Sequence, residues 1–351
     1  MSHQRRGVAA AGNHIIDRLY LCDRWPQEET LSNVIAESRG TGGAPYNCLL
    51  DLAKFGPPPG PDGKPGQPLP LEAIGLVGDD EDGRFILRDM KANGIDTQAL
   101  RTTDTAPTSY TLVMVIKETG RRTFFHNRGA NAVFAPEHVK IEKIKARLLH
   151  LGYLLLLDRF DEPDAEFGTV AARFLKELQD AGIETSLDVV SEDSRRFPHI
   201  VKPALRYADY AILNELEAGR TTGHDLRPNG RPDPKAFRAS AEALLSFGVR
   251  RLVCIHTPEG GYVRTADGKE LWQPSLQLPA GYIRGGAGAG DAFCAGMLYG
   301  IHERWDLGQS LTLAVCAAAV CLSDPSCTGA ACDLAATLAL AKKFPFQPSV
   351  F

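Results

Sequence analysis

From about residue 148 onward, short apolar runs alternate with amphipathic stretches, which is how strands and crossover helices of a parallel sheet appear in one dimension. The run 148–157 is apolar throughout except for His150, and this predicts a strand covered on both faces. Pro163 opens the next segment, where Phe167, Val170, Ala171, Phe174, Leu175 and Leu178 fall on one helical face and Gly182 marks the stop. The same rhythm predicts strands at 183–190, 210–213 and 251–256, with helices at 234–247 and 292–301. Ahead of residue 148 it gives a strand at 8–11, a helix around 46–55 and a strand at 73–77. Joined by right-handed crossovers, these elements make a doubly wound, mostly parallel α/β sheet.

Two stretches break the rhythm, 15–39 and 108–125. In the second, Tyr110, Leu112, Met114 and Ile116 alternate with Thr111, Val113 and Val115; Gly120 and Arg121 then turn the chain into 123–125, a predicted hairpin. Both stretches are assigned to a small β-sheet lid. The division is therefore an α/β core at 1–14, 44–105 and 131–351, and a lid at 15–43 and 106–130. Segment 56–70, with seven prolines and four glycines, predicts an exposed loop without chemistry.

A chain of 351 residues, 44% hydrophobic and 23% charged, suits one large globular core with an appendage. Its formal net charge of -4 offers no broad positive field for a polyanion, so a small molecule is the expected partner and nucleic acid is not. The opening MSHQRRGVAAAGNHIID has only a short apolar stretch before His14 and Asp17, unlike a signal peptide, and no run approaches a membrane span. The 8 cysteines include no CxxC pair, and Cys316, Cys321, Cys327 and Cys332 lack the spacing of a zinc site. Reduced, buried thiols in a cytoplasmic protein are the expectation.

The densest chemical signal is Arg284-Gly285-Gly286-Ala287-Gly288-Ala289-Gly290-Asp291-Ala292-Phe293, followed by a helical pattern. Glycines let main-chain N–H groups turn toward a ligand, and the positive end of a helix adds to the attraction, so the turn suits an anion such as phosphate. A carboxylate beside polyphosphate is repelled unless it has a proton to accept, which points to Asp291 as the base in phosphoryl transfer. The alternative is a connecting turn in which Asp291 only caps the helix. The chain has no GxxxxGK[ST] and no GxGxxG after a strand, so P-loop and dinucleotide-binding readings lose support.

Four blocks in order then give a family resemblance: Gly42-Gly43-Ala44-Pro45-Tyr46-Asn47, Ile74-Gly75-Leu76-Val77-Gly78-Asp79-Asp80 with Gly83, Asn214-Glu215-Leu216-Glu217, and Gly288-Ala289-Gly290-Asp291-Ala292-Phe293. Across almost the whole chain they resemble the GGAxxN, IGxVGDDxxG, NxxE and GAGDAF segments of the ribokinase-like, or PfkB, carbohydrate kinases. The resemblance implies a ribokinase-like fold and ATP-dependent phosphorylation of a sugar-like alcohol. It implies that Asp291 is the base and that the amides of Gly288, Ala289 and Gly290 form an anion hole. It assigns Asn214 and Glu217 to Mg2+ and its water shell, and Asp17, Gly42, Gly43 and Asn47 to the acceptor. Arg128 either reaches an acidic or phosphorylated acceptor or closes a salt bridge in the lid. Thr257 and Gly260 fall in the nucleotide loop, with Asn214, Gly288 and Gly290 also on the ATP side. Dimerisation through an exposed face of the lid is a further expectation.

Two departures stand out. Gly285 and Gly286 occupy the Asp-Thr positions of the family's DTxGAGD signature, and Thr257-Pro258-Glu259-Gly260-Gly261 replaces a T-x-G-x-x-G loop. They keep open a nucleoside kinase of the same fold and a weakened, ligand-binding protein on the kinase scaffold. A nicotinamide-dependent oxidoreductase has little in its favour without the fingerprint.

Overall fold

A computed structural model describes residues 5–58 and 66–351. The chain opens with β1 (Val8–Gly12), β2 (Ile15–Cys22), β3 (Val34–Gly42), α1 (Ala44–Phe55), β4 (Leu71–Gly78), α2 (Glu81–Ala92) and β5 (Asp96–Thr103). It continues through β6 (Tyr110–Ile116), β7 (Arg122–Asn127), α3 (Gly129–Val133), β8 (Leu148–Leu154), α4 (Asp158–Asp161), β9 (Pro163–Asp164), β10 (Gly168–Thr169) and α5 (Val170–Asp180). Next come β11 (Glu184–Val189), α6 (Phe197–Leu205), β12 (Tyr210–Asn214), α7 (Glu215–Thr222) and α8 (Pro234–Ser246). The last elements are β13 (Leu252–Thr257), β14 (Gly260–Thr265), β15 (Glu270–Pro274), α9 (Ala289–Glu303), α10 (Leu307–Leu322) and α11 (Leu334–Lys343).

Nine strands form one sheet in the order β15-β14-β13-β12-β11-β8-β1-β4-β5. The strands from β13 to β5 run parallel, and β14 and β15 add an antiparallel edge. Alternation along β1 decides the layers. Ala9 and Ala11 face an apolar cluster with Phe174, Leu175 and Phe237, whereas Val8 and Ala10 face another with Leu49, Phe293 and Leu298. Helices thus cover both faces, as near-continuous apolar strands require. Because β1 lies between β4 and β8, the chain reverses its direction of travel there, and the crevice beyond the strands' carboxyl ends is where such sheets bind ligands. A second sheet, ordered β3-β2-β6-β7, stands apart from the first.

Several expected elements differ. The apolar run at 148–157 stops pairing at Leu154, because Leu155 takes a left-handed φ of 75 and a short helix follows. The helix after it starts at Val170, where the Thr169 hydroxyl caps the Ala172 amide; Pro163 belongs to a two-strand hairpin instead. Helix α6 had no forecast, since Pro198 and Pro203 obscure its periodicity. The supposed nucleotide loop at Thr257-Pro258-Glu259-Gly260-Gly261 is the turn of the β13–β14 hairpin. Of the Pro/Gly-rich segment 56–70, residues 59–65 lie outside the described part. No helix among the described residues is long and apolar enough to cross a membrane.

Candidate active site

Helix α9 begins at Ala289 rather than Ala292, because Gly288 serves as its N-cap in the left-handed region, with φ 81. A Cβ on Gly288 would stand 2.8 Å from the Cys327 side chain, so glycine permits both the backbone angle and the close approach. Asp291 therefore lies within the first turn, which removes the capping alternative. The amides of Gly288, Ala289 and Gly290 have no intrahelical acceptor, and no other acceptor among the described residues takes them. Three N–H groups at the positive end of a 15-residue helix are left to an incoming anion.

Both oxygens of Asp291 are fixed from other elements. Asn47 on α1 donates from Nδ2 to Oδ2 at 2.6 Å, and the Tyr153 hydroxyl on β8 donates to Oδ1 at 2.5 Å. Burial pushes the Asp291 carboxyl up, while these two bonds hold it back toward the charged form. Each carboxylate oxygen keeps a second lone pair, so an acceptor hydroxyl can still be engaged. Tyr153 was missed in the sequence, where it reads as one more member of an apolar strand.

On the acceptor side, α1 is entered through Gly43 at φ 90, where a Cβ would stand 2.0 Å from the Asn13 carbonyl. A Cβ on Gly42 would come within 2.5 Å of Asp17 Oδ2, so the glycine pair brings the chain against that carboxylate. Asp17 is pushed up to about 6, chiefly by burial, against a hydrogen bond from the Cys327 thiol. Arg128 does not reach this group: its Nη1 donates to Asp158 at 2.6 Å and to the Leu155 carbonyl at 3.0 Å. Arg122 stands at the start of β7. Its charge bears on Asp17, and its Nη2 lies 2.9 Å from the position of a Cβ on Gly285, with no hydrogen-bond partner among the described residues. Replacing the family's Asp with Gly285 leaves room for this guanidinium beside the glycine turn.

On the opposite side, Asn214 caps α7 and forms a capping box with Glu217, the Asn-x-x-Glu spacing that satisfies both backbone donors. Glu217 Oε1 also accepts from Ser191 Oγ and Asn214 Nδ2, each at 2.7 Å. Glu217 is buried rather than solvent-facing, and burial pushes it up to about 7 against those bonds. Asp188, at the end of β11, is likewise raised by burial, then by the charges of Glu217, Cys294 and Asp291. Three mutually repelling carboxylates at the strands' carboxyl ends make a hard oxygen donor set suited to a divalent cation. The capping box already engages both Glu217 oxygens.

A cleft of about 690 Å³ adjoins this group, with Asn214, Thr257, Ala289, Gly290, Phe293 and Val315 in its walls. Gly290 lets α9 pack against His256, whose Cε1 would be 3.2 Å from an added Cβ. Burial lowers His256 to about 4, so the ring is neutral where it lies tilted against Phe293. Thr257 is tied to Glu259 at 2.7 Å and to Arg227 at 2.9 Å. Gly260 does not line the cleft; its missing Cβ makes way for the Gln273 carbonyl and Trp272 within the edge hairpin. The structure thus gathers Asp17, Gly42, Gly43, Asn47 and Asp291 on one side and Asn214, Glu217 and Thr257 on the other, with the 288–290 turn between.

Comparison with known proteins gives a consistent neighbourhood. The pfkB family carbohydrate kinase model matches residues 6–332. An ATP-dependent ribose-1-phosphate kinase of Halopiger xanaduensis is 25% identical over 292 residues, spanning 83% of each chain. A 5-dehydro-2-deoxygluconokinase of Geobacillus kaustophilus is 24% identical over 315 residues, 88% of this chain and 86% of that one. The structure of Arabidopsis thaliana ribokinase complexed with ribose and ATP overlays with a TM-score of 0.74 at 19% identity, covering 97% of this chain and 99% of that one.

Proposed function

The chain belongs to the pfkB family of carbohydrate kinases, and from that premise we propose that it moves the γ-phosphoryl group of ATP onto a hydroxyl of an anionic sugar, with Asp291 as the base. The observation that supports this most directly is the pairing of Asp291, held by Asn47 and Tyr153, with three unbonded amides at the head of α9. The acceptor hydroxyl gives its proton to Asp291 as its oxygen bonds to the γ-phosphorus, the bond to the β-phosphate oxygen breaks, and ADP leaves. Charge growing on the transferred group falls on the Gly288, Ala289 and Gly290 amides. Asp188, Glu217 and Asn214 are suited to hold Mg2+ and its waters, which supply charge neutralisation on the phosphates. The cleft bordered by Thr257 and Phe293 takes the nucleotide.

Asp17, Gly42, Gly43 and Asn47 face the sugar, and Arg122 takes an anionic substituent on it, the role first considered for Arg128. A relative that acts on ribose 1-phosphate agrees with that chemistry. Segments 15–43 and 106–130 act as a lid over the core at 1–14, 44–105 and 131–351, excluding water that would hydrolyse ATP. Val34, Ile35, Phe124 and Phe125 are exposed on that small sheet and favour pairing of two chains through it. With eight free cysteines, seven of them buried, a reducing, cytoplasmic setting fits. The test is transfer of label from γ-labelled ATP to ribose 1-phosphate, sugar acids, neutral sugars and nucleosides. Asp291→Asn should lower turnover at least about a hundredfold while an ATP analogue still binds. Unchanged turnover would remove Asp291 from the role.

A further inference from the structure

Behind the catalytic carboxylate, three groups far apart in sequence meet in the core: Cys48 on α1, His150 on β8 and Cys294 on α9. All three are buried. One ligand atom from each lies within 4.8 Å of the other two, and Cys294 Sγ is 3.8 Å from His150 Nε2 and 4.0 Å from Nδ1. Metal–sulfur and metal–nitrogen bonds of about 2.3 and 2.0 Å place ligand atoms of a tetrahedral ion roughly 3.5–3.8 Å apart, so only a small contraction is needed. The imidazole is already steered, because His150 Nδ1 pairs with Ser186 Oγ at 3.1 Å, leaving Nε2 to coordinate. A hydrogen bond through the other ring nitrogen is the usual accompaniment of a metal-bound histidine.

We propose that Cys48, His150 and Cys294 bind one soft divalent transition-metal ion, of which Zn2+ is the type, as a structural site pinning α1 to α9. Two thiols and an imidazole select such an ion over Mg2+, which prefers oxygen. The fourth position falls to water. Binding releases the thiol protons, and burial means that the ion is loaded as the chain folds. The site touches the active centre without taking part in transfer: Cys48 follows Asn47, and its thiol donates to the Asp291 carbonyl at 3.3 Å. This inference is independent of the phosphotransfer reading.

The test is refolding of the full chain with and without added Zn2+ under reducing conditions, followed by removal of loose metal and elemental analysis. One equivalent of zinc per chain is expected. Co2+ in its place should give sulfur-to-cobalt charge-transfer absorption, a readout that needs no variant. Cys294→Ser and Cys48→Ser should each weaken metal retention at least about tenfold, whereas Cys316→Ser, in a buried thiol outside the group, should not. Absence of bound metal after refolding in Zn2+, a cobalt spectrum without thiolate bands, retention unaltered in Cys294→Ser, or a Cys48–Cys294 disulfide in the native protein would each overturn the proposal.

Discussion

The two sheets are built on opposite terms. Strands β1, β8 and β11 of the large sheet are buried nearly end to end, whereas β3 and β7 of the small sheet leave Ile35 and Phe124 exposed at 48% and 57%. Asp291, the 288–290 turn and the acid group all stand on the large sheet or on helices packed against it. The small sheet supplies Asp17 and Arg122 and is tied to α2 by Arg18 and Arg39 on Asp82, at 2.7 and 3.2 Å. Partly exposed pairs of that kind contribute about 0–1 kcal/mol each, so they hold the small sheet without welding it. On the proposed reading, chemistry is placed where packing fixes geometry, and acceptor contacts on the less tightly packed sheet.

The largest expected separation between the regions comes from Arg122. Arg122→Gln should raise KM for an anionic acceptor by about 10- to 100-fold, the value of a charge-assisted contact, with kcat and neutral acceptors little changed. Equal losses for charged and neutral sugars would place the guanidinium on the phosphates of ATP instead. Tyr153→Phe acts on the core and should lower kcat about tenfold. The hydroxyl now holds the Asp291 carboxyl down, so its loss should also move the acid limb of the pH–rate profile to higher pH. An unmoved limb would mean that the bond only positions the ring.

Asp17 gives a pH signature of the lid with two opposite signs. Its carboxyl is raised from 3.8 to about 6, so acceptor affinity should fall as pH drops through about 6 and the acceptor of sugar hydroxyl protons is lost. In the free protein the folded state binds the proton more tightly than the unfolded state. This group's contribution to stability therefore grows as pH falls from about 6 toward about 4. Asp17→Asn should flatten both trends in acceptor titrations and melting curves; a parallel shift of the two would contradict the assignment. The smallest effect belongs to the outer face: Phe124→Ser with Phe125→Ser should convert a dimer to a monomer in light scattering, with turnover within about threefold. A wild-type monomer would end the idea of pairing through the lid.

Legibility in the sequence followed the range of the forces involved. The Gly288–Asp291 turn declares itself because its chemistry is written into adjacent residues, whereas the Asn214–Glu217 pair and Gly43 were legible through the family resemblance. The edge hairpin of β14 and β15 escaped because the spacing of Thr257 to Gly261 resembles a ligand loop, while the packing of Trp272 under Gly260 is what decides it. Helix α6 escaped because two prolines outweigh its apolar face locally, yet burial of Phe197, Val201 and Leu205 stabilises it. Arg128 was named from sequence, but it follows β7 as the N-cap of α3 and pairs with Asp158; Arg122, at the head of β7, was not named.

By itself, then, the sequence determined the alternation of strands and helices, the two-layered covering of a parallel sheet, and the glycine turn with its acid. These depend on periodicity and on backbone angles that only neighbouring residues set. Tertiary structure alone decided which side chains hold Asp291, that Arg128 is paired with Asp158, and that Cys48, His150 and Cys294 share one point in the core. Such contacts join residues distant along the chain, and their energies exist only once the layers have packed.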